Sequence, residues 1–183
     1  MSASRALAAR FPWRRYRQFA DIGCAQGSTA VQLVKAHPHL QGLGFDLPVV
    51  QPLFEEYVSG FGLNGRLQFV GGDFFAAPLP SAEVLLMVQI LHDWDLDKKQ
   101  LLLSKAHAAL PPGGTLIVVD AMIDDERRRN AFALLMSLNM LIETSGGFDY
   151  SAADCSSWLK RAGFRQVRRR ALAGPYSMVV GTR

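Results

Sequence analysis

One imidazole and two carboxylates stand together in the run Leu91-His92-Asp93-Trp94-Asp95. This run directly follows residues 84–90, an apolar stretch that predicts a buried strand. Ligands of open parallel α/β sheets bind at the carboxyl edge of the strands, which is where this run would lie. An imidazole there ionises near neutral pH and can take a proton from a hydroxyl group. The same residues also fit a loop in which His92 fills space and the aspartates cap the next helix. This segment alone leaves both interpretations open.

Four other predicted strands also end in or beside a carboxylate: Asp21, Asp46, Asp73 and Asp120. The carboxyl ends of parallel strands meet at one edge of a sheet, so we expect these groups to line a single cleft together with His92. One terminal aspartate is ordinary, but polar groups at the ends of five strands are hard to explain by solubility alone.

The elements that would position these groups alternate between strand and helix. Strands are predicted over residues 18–22, 40–45, 67–70, 84–90 and 115–119, and helices over 28–36, 48–60, 96–110, 128–143 and 151–162. Residues 164–171 and 176–181 are predicted to close the sheet as an antiparallel pair. This order predicts an α/β fold, with a mostly parallel seven-stranded sheet covered by helices on both faces. We predict one domain over residues 19–183, preceded by a basic segment over residues 1–18.

The composition of the chain excludes several classes. Its 183 residues are 49% hydrophobic and 20% charged, which suits one globular domain. No apolar run approaches the roughly 18 residues of a membrane-spanning helix, so we expect a soluble protein with no membrane span.

Cys24 and Cys155 form no disulfide framework and fit a reducing, cytoplasmic compartment. The arginine clusters behind the net charge of +4 lack any nucleic-acid-binding motif, so we interpret them as solvated surface and expect no nucleic-acid partner. The acid-free composition of residues 1–18 also resembles a transit peptide, and this alternative stays open.

A small-residue loop and a following acid predict a cofactor site. Residues 21–27 read Asp-Ile-Gly-Cys-Ala-Gln-Gly and lead into a predicted helix, and Asp46 follows at the spacing of an acid that binds a ribose. The loop lacks the G-x-G-x-x-G spacing of a pyrophosphate site, and the carboxylate of Asp21 at its mouth would repel phosphates. That charge suits S-adenosylmethionine, which carries a sulfonium and an ammonium group and no phosphate. An NAD(P)-dependent oxidoreductase would share the loop and Asp46, and it is the alternative.

Six motifs then occur in a characteristic order. They are residues 21–27, Gly44-Phe45-Asp46-Leu47-Pro48, Gly72-Asp73-Phe74-Phe75, Leu91-His92-Asp93-Trp94, Pro112-Gly113-Gly114 and Gly146-Gly147-Phe148-Asp149-Tyr150-Ser151. With them the chain resembles, over about residues 19–183, the catalytic domain of the S-adenosylmethionine-dependent O-methyltransferases of the caffeate, acetylserotonin and bacterial secondary-metabolite type. The resemblance implies a class I methyltransferase, Rossmann-like fold. It also implies methyl transfer to a phenolic or enolic hydroxyl of a small hydrophobic acceptor.

The resemblance implies a role for each matching position. His92 would be the general base, and Asp120 and Asp149 stand where the plant enzymes carry two glutamates that orient it. The expected cofactor contacts are Asp21, Gly23, Gly27, Asp46, Leu47, Asp73 and Phe74. The expected acceptor contacts are Asp93, Met136, Asn139 and Met140, and no metal ion is expected. Met136 and Met140 lie four residues apart on a predicted helix, which core packing also produces. Asp73 could equally cap the turn after its strand.

The chain departs from the family pattern in three respects. Cys24 and Ala25 replace glycines of the loop, and the shorter carboxylate of Asp149 leaves its reach to His92 open. Almost nothing precedes the first predicted strand, whereas the family carries an N-terminal winged-helix region that dimerises and helps to close the acceptor pocket. We therefore expect this dimerisation domain to be absent and an apolar surface to be exposed in its place. Such a surface favours a homodimer or another association. A truncated or non-catalytic cofactor-binding domain that needs a partner is thus an alternative to an active enzyme.

Overall fold

The strands form one continuous sheet in the computed structural model, which describes residues 2–183. They are β1 (Gln18–Ile22), β2 (Gln41–Asp46), β3 (Leu67–Gly71), β4 (Val84–Val88), β5 (Thr115–Asp120), β6 (Arg165–Ala171) and β7 (Ser177–Thr182). The helices are α1 (Ala3–Arg10), α2 (Ser28–Ala36), α3 (Gln51–Ser59), α4 (Leu96–Ala109), α5 (Ala131–Glu143) and α6 (Ala152–Arg161).

The strand order places a crevice at the middle of the sheet. The order is β3-β2-β1-β4-β5-β7-β6, in which β1 to β5 are parallel and β7 runs antiparallel to both β5 and β6. Because β1 lies between β2 and β4, the connections that leave β1 and β4 diverge at the carboxyl edge, which is where ligands enter such sheets. The predicted α/β fold with a closing antiparallel pair is confirmed.

Alternation along the strands divides the apolar side chains between two cores. In β4, Val84 and Leu86 face the core formed with α1, α2 and α3, while Leu85 and Met87 face the core formed with α4 and α6. A strand that is apolar on both faces needs helices on both sides, which is the arrangement observed. Among residues 2–183, no helix combines the length and the apolar character needed to cross a membrane.

Helix α1 was not predicted from the sequence. Ala6 and Leu7 are fully buried in the core that contains α2 and α3. Ser4 Oγ and Thr29 Oγ1 of α2 form a hydrogen bond of 2.9 Å, and the Trp13 indole donates to the carbonyl of Leu7 at 3.1 Å. Alanines supply much of the buried face, so the usual large apolar residues do not mark its helical period. Much of the segment that the sequence indicated only as basic therefore packs into the same core as the sheet.

Two predicted boundaries were wrong for local reasons. Helix α5 begins at Ala131 and not at Arg128, because the Asp124 carboxylate accepts the N–H groups of Arg128 and Arg129 and holds them in a loop. Strand β4 ends at Val88 and not at residue 90, because Gln89 has φ +57° and turns the chain out of the sheet.

Candidate functional site

His92 lies on a single 3-10 turn, Leu91–Asp93, which directly follows the bend at Gln89 and is called the His92 turn below. Leu91 is fully buried and anchors the turn in the core, and His92 itself is 6% exposed. The Asp95 carboxylate accepts the N–H of Lys98 at 2.9 Å and caps α4. Asp95 is therefore the helix cap that the sequence allowed, and the His92 turn is free to face the crevice.

Two carboxylates flank the imidazole. Asp149 Oδ1 lies 3.4 Å from His92 Nδ1, and Asp93 Oδ1 lies 3.4 Å from His92 Nε2. Asp149 is fully buried, and within residues 2–183 neither of its oxygens makes a well-aligned hydrogen bond. The carboxylate of Asp149, although shorter than that of a glutamate, thus lies at the longest distance at which it can form a hydrogen bond with His92. His92 is its nearest charged partner.

The surrounding charges raise the proton affinity of His92. Burial lowers the pKa of the imidazole, but the Asp149, Asp120 and Asp93 carboxylates outweigh it and raise that pKa to about 9. Burial raises the pKa of Asp120 to about 7, against the opposing effect of His92. Without a bound cation, His92 is therefore an imidazolium at neutral pH, held in a cluster of carboxylates.

Tyr150 joins Asp120 to the segment that carries Asp149. Its hydroxyl donates to Asp120 Oδ2, and both side chains are fully buried. The Ile123 N–H also donates to the Tyr150 carbonyl at 2.9 Å, so the end of β5 and residues 149–150 are fixed to each other. Tyr150 was not predicted as a site residue, although it lies in one of the six motifs.

The loop between β1 and α2 is tightly turned and is held by Asp46. Gly23 and Gly27 have φ of +71° and +84°, and Ala25, in place of a glycine, has φ +47°. The Asp46 carboxylate accepts the N–H of Ala25 through Oδ2 and that of Leu47 through Oδ1, both at 2.8 Å. A side chain at Gly27 would meet the Phe54 ring at 2.6 Å, so this glycine serves the packing of α3 under the loop.

A cavity opens beside this loop at the carboxyl edge of β1, β2 and β4. It encloses about 360 Å³, within the range of about 300–1,000 Å³ usual for small-molecule sites. Its lining residues are Gly23, Asp46, Leu47, Gly72, Asp73, Phe74, Phe75, Ile90, Asp93 and Trp94. Five of the seven predicted cofactor residues line it, and Asp93 connects it to His92. The Trp94 indole N–H, which was not predicted, is buried and has no hydrogen-bond partner among the described residues.

The charge of this cavity fits a cationic ligand better than a pyrophosphate. Asp21 is buried beneath the loop, and burial together with the neighbouring Asp46 raises its pKa to about 7. A carboxylate whose ionisation is opposed by burial and by a neighbouring negative charge is stabilised by a positive charge and destabilised by a phosphate. An adenosine-bearing cofactor with a sulfonium therefore fits the donor set of the loop.

Four predicted site residues have other surroundings. The Asp73 carboxylate accepts the N–H of Phe75 at 2.8 Å, so it caps its turn and also lines the cavity. Met140 is buried, Met136 and Asn139 are half-buried, and none of the three lines the cavity. Their helix α5 does pack against the His92 turn, so their acceptor role stays a prediction.

The sheet order and the cavity define the class of fold as that of the class I methyltransferases. A family described as an O-methyltransferase domain matches residues 2–165, and the chain belongs to this family. The tetracenomycin polyketide synthesis 8-O-methyl transferase TcmO of Streptomyces glaucescens is 43% identical over 96% of this chain and 52% of that protein. The N,N-dimethyltransferase OxyT of Streptomyces rimosus is 40% identical over 87% of this chain and 46% of that protein.

A solved structure agrees with the fold. The human N-acetylserotonin methyltransferase in complex with SAM superposes with a TM-score of 0.89 and 28% identity, over 98% of this chain and 51% of that one. The resemblance stated from the six motifs and the class I methyltransferase fold are thus confirmed. The chain spans about half the length of the curated relatives it matches.

Proposed function

We propose that the chain binds S-adenosylmethionine in this cavity and transfers its methyl group to a hydroxyl of a small hydrophobic acceptor, with His92 as the general base. The observation that carries the proposal is the position of His92. It stands between Asp149 and Asp93, and Asp93 also lines the cavity beside the loop of Asp21 and Asp46. The match to the O-methyltransferase domain supports the reaction class.

Different lining residues would contact different parts of the cofactor. The backbone of Gly23 would lie against the methionine part, and the free lone pairs of Asp46 would accept from the ribose hydroxyls. Leu47 and Phe74 would enclose the adenine, with Asp73 at its edge. The bound cofactor supplies a methyl group already activated on a sulfonium, so the chain mainly aligns the acceptor oxygen and removes its proton.

The two carboxylates give the two nitrogens of His92 different tasks. Asp149 favours a proton on Nδ1, which leaves Nε2 as the acceptor for the hydroxyl proton. Asp149 and Asp93 then stabilise the imidazolium that forms. A phenol has a pKa near 10, only a few units above that of an imidazole, so His92 can accept its proton as the methyl group is transferred. An aliphatic alcohol is far less acidic, and a phenolic or enolic acceptor is therefore favoured.

We propose oxygen and not nitrogen as the atom that accepts the methyl group. This choice needs a chemical reason, because one relative is named as an N,N-dimethyltransferase. A neutral amine attacks through its own lone pair and needs no base before transfer. A buried imidazole with two carboxylate partners therefore favours a hydroxyl. Oxidoreductase chemistry with NAD(P) has less support, since the loop lacks the G-x-G-x-x-G spacing and the carboxylate of Asp21 disfavours a pyrophosphate there.

Cofactor binding tests this proposal. S-adenosylmethionine should bind in calorimetric titration and NAD should not, and the affinity should depend on the protonation of Asp21. That carboxyl has a pKa of about 7 in the free protein, and a bound sulfonium lowers it. Affinity should therefore fall as pH decreases below 7, towards about tenfold per unit, with proton release on binding near pH 7.

The matched variant separates Asp21 from other titrating groups. Asp21→Asn should bind more weakly than the wild-type chain at pH 7.5 and should lose most of the pH dependence. Preferential binding of NAD would contradict the proposed function, and an unchanged pH dependence in the variant would contradict the role of Asp21.

An exposed apolar face on α5 supports a proposal about association. The face consists of Phe132, Leu135, Leu138, Leu141 and Ile142, and Ile142 is 84% exposed. We propose that this face is part of the exposed apolar surface predicted from the sequence. Contiguous apolar patches of this kind mark interaction sites. We propose that two copies of the chain associate through it, and a non-catalytic domain that depends on a partner would use the same face.

Sedimentation tests the association. The wild-type chain should show a concentration-dependent dimer, and the double variant Leu138→Ser and Ile142→Ser should shift it to monomer. Leu101→Ser, at an exposed leucine of α4, is the matched control and should leave the dimer intact. A wild-type chain that stays monomeric at high concentration would contradict this proposal.

The two cysteines support the proposed cytoplasmic location. Cys24 and Cys155 are both free and buried, as is usual for thiols in a reducing compartment.

A further inference from the structure

Lys99 is a fully buried cation directly behind the His92 turn. It lies in the first part of α4, and its ammonium group donates to the carbonyl of Trp94 and, at 3.1 Å, to the carbonyl of Phe148. The same ammonium lies 3.5 Å from the centroid of the Phe148 ring. Trp94 immediately follows the His92 turn, and Phe148 immediately precedes Asp149. One side chain therefore joins the two segments that carry the imidazole and its buried carboxylate.

We propose that Lys99 is a positioning residue for His92, which fixes the His92 turn against the Asp149 segment and offsets the charge of the carboxylates around the imidazole. The inference rests on the proposed role of His92 as the base. A buried ammonium needs hydrogen-bond or charge partners to offset the loss of its hydration. A leucine or methionine would fill this part of the core without that requirement. Packing alone therefore does not explain a lysine here.

Lys99 lies within a cluster of charged groups around His92. Groups from every element around the cluster take part: Asp93 on the turn, Lys99 on α4, Asp120 at the end of β5, Glu143 at the end of α5, and Asp149 and Tyr150 after α5. Burial lowers the pKa of Lys99 to about 8, although Asp120 and Asp149 oppose this. Lys99 is thus cationic at neutral pH, and its charge counteracts the rise that burial causes in the pKa of Asp93 on the His92 turn. At the higher pH at which His92 titrates, Lys99 is already largely neutral, so it acts on the pKa of His92 through the position of Asp149. If Lys99 is lost, the Asp149 segment should lie less close to His92, and the pKa of the imidazole should fall.

Two substitutions separate the charge of Lys99 from its hydrogen bonds. Lys99→Met removes both at nearly constant volume, whereas Lys99→Gln removes the charge and keeps an N–H donor. Lys98→Met, at the half-exposed neighbour that pairs with Asp95, is the matched control. The pKa of His92 is read directly from its NMR titration, and the His92→Gln spectrum identifies its signal among the four histidines.

Lys99→Met should lower the pKa of His92 by about one unit because the Asp149 carboxylate is no longer held beside the imidazole, Lys99→Gln should lower it by less, and Lys98→Met should leave it unchanged. Methyl transfer should shift to lower pH in Lys99→Met, with a lower plateau rate than in Lys99→Gln. Lys99→Met combined with Asp149→Asn should have almost the same pKa of His92 as Asp149→Asn alone, because the carboxylate that Lys99 positions is then absent.

An unchanged titration of His92 in a folded Lys99 variant would overturn the proposal, even if its melting temperature fell, since a purely structural lysine predicts that result. If Lys99→Met fails to fold, the titration of Lys99→Gln decides. The titration needs neither donor nor acceptor. Absence of methyl transfer by the wild-type chain would therefore count against the proposed function and leave the assignment of Lys99 standing on its own measurement.

Discussion

Replacement of His92 by glutamine should reduce methyl transfer by about 10²–10⁴-fold, the usual contribution of a positioned base. Glutamine keeps a polar side chain of similar size but cannot hold the acceptor's proton. Affinity for S-adenosylmethionine should be retained or slightly strengthened. His92 has a raised pKa of about 9 and is an imidazolium at neutral pH, so its removal takes a positive charge away from a cationic ligand. Transfer of a radiolabelled methyl group to hydroxylated aromatic acceptors measures the first effect, and calorimetry measures the second.

The pH dependence of the same assay identifies the titrating group. Only neutral His92 can accept a proton, so kcat/KM of the wild-type chain should rise with pH through a value well above 6.5, towards about 9. This rise of kcat/KM with pH should be absent in His92→Gln. The control is His107→Gln, on α4, whose ring packs on Phe164 with centroids 5.1 Å apart. Turnover of His92→Gln equal to that of the control would remove His92 from the mechanism.

The elements and strand-end carboxylates were predictable because they depend on local patterns. Short apolar runs marked the central strands, and His92, Asp120 and Asp46 followed from their places at strand ends. Lys99 was not predictable in this way. It stands beside Asp97 and Lys98 in what reads as a solvated first turn of a helix. Only the fold shows that residues 148–150, distant in the chain, cover this turn and bury the ammonium group.

The contact between Asp149 and His92 is a second feature that could not be predicted from the sequence. The sequence indicated that an aspartate could be too short to approach the imidazole. However, a Cβ atom on Gly147 would lie 2.7 Å from the carbonyl oxygens of both His92 and Asp93. The backbone of the Asp149 segment therefore lies directly against the His92 turn, which brings the shorter side chain to 3.4 Å. Residue types report the length of a side chain but not the separation of two backbones.

Asp46→Ala should lower the affinity for S-adenosylmethionine by about 10²-fold. The substitution removes the carboxylate proposed to accept from the ribose, and each hydrogen bond to a charged group contributes about 1.5–3 kcal/mol. A loss of about 3 kcal/mol corresponds to about a hundredfold in affinity. Calorimetry with S-adenosylmethionine measures it. Glu55→Ala, at an exposed carboxylate of α3 that only accepts from Gln51 at 2.7 Å, is the matched control and should bind normally.

Asp46 also holds the loop, and a second variant separates this effect from ligand contact. Its Oδ2 accepts the N–H of Ala25, whose φ of +47° costs an L-residue about 1–2 kcal/mol relative to glycine. Ala25→Gly removes this strain, because glycine adopts positive φ freely. If Asp46 binds the ribose, Asp46→Ala combined with Ala25→Gly should recover only a small part of the lost affinity. Full recovery would show that Asp46 acts by restraining the loop, and the proposed ribose contact would then be wrong.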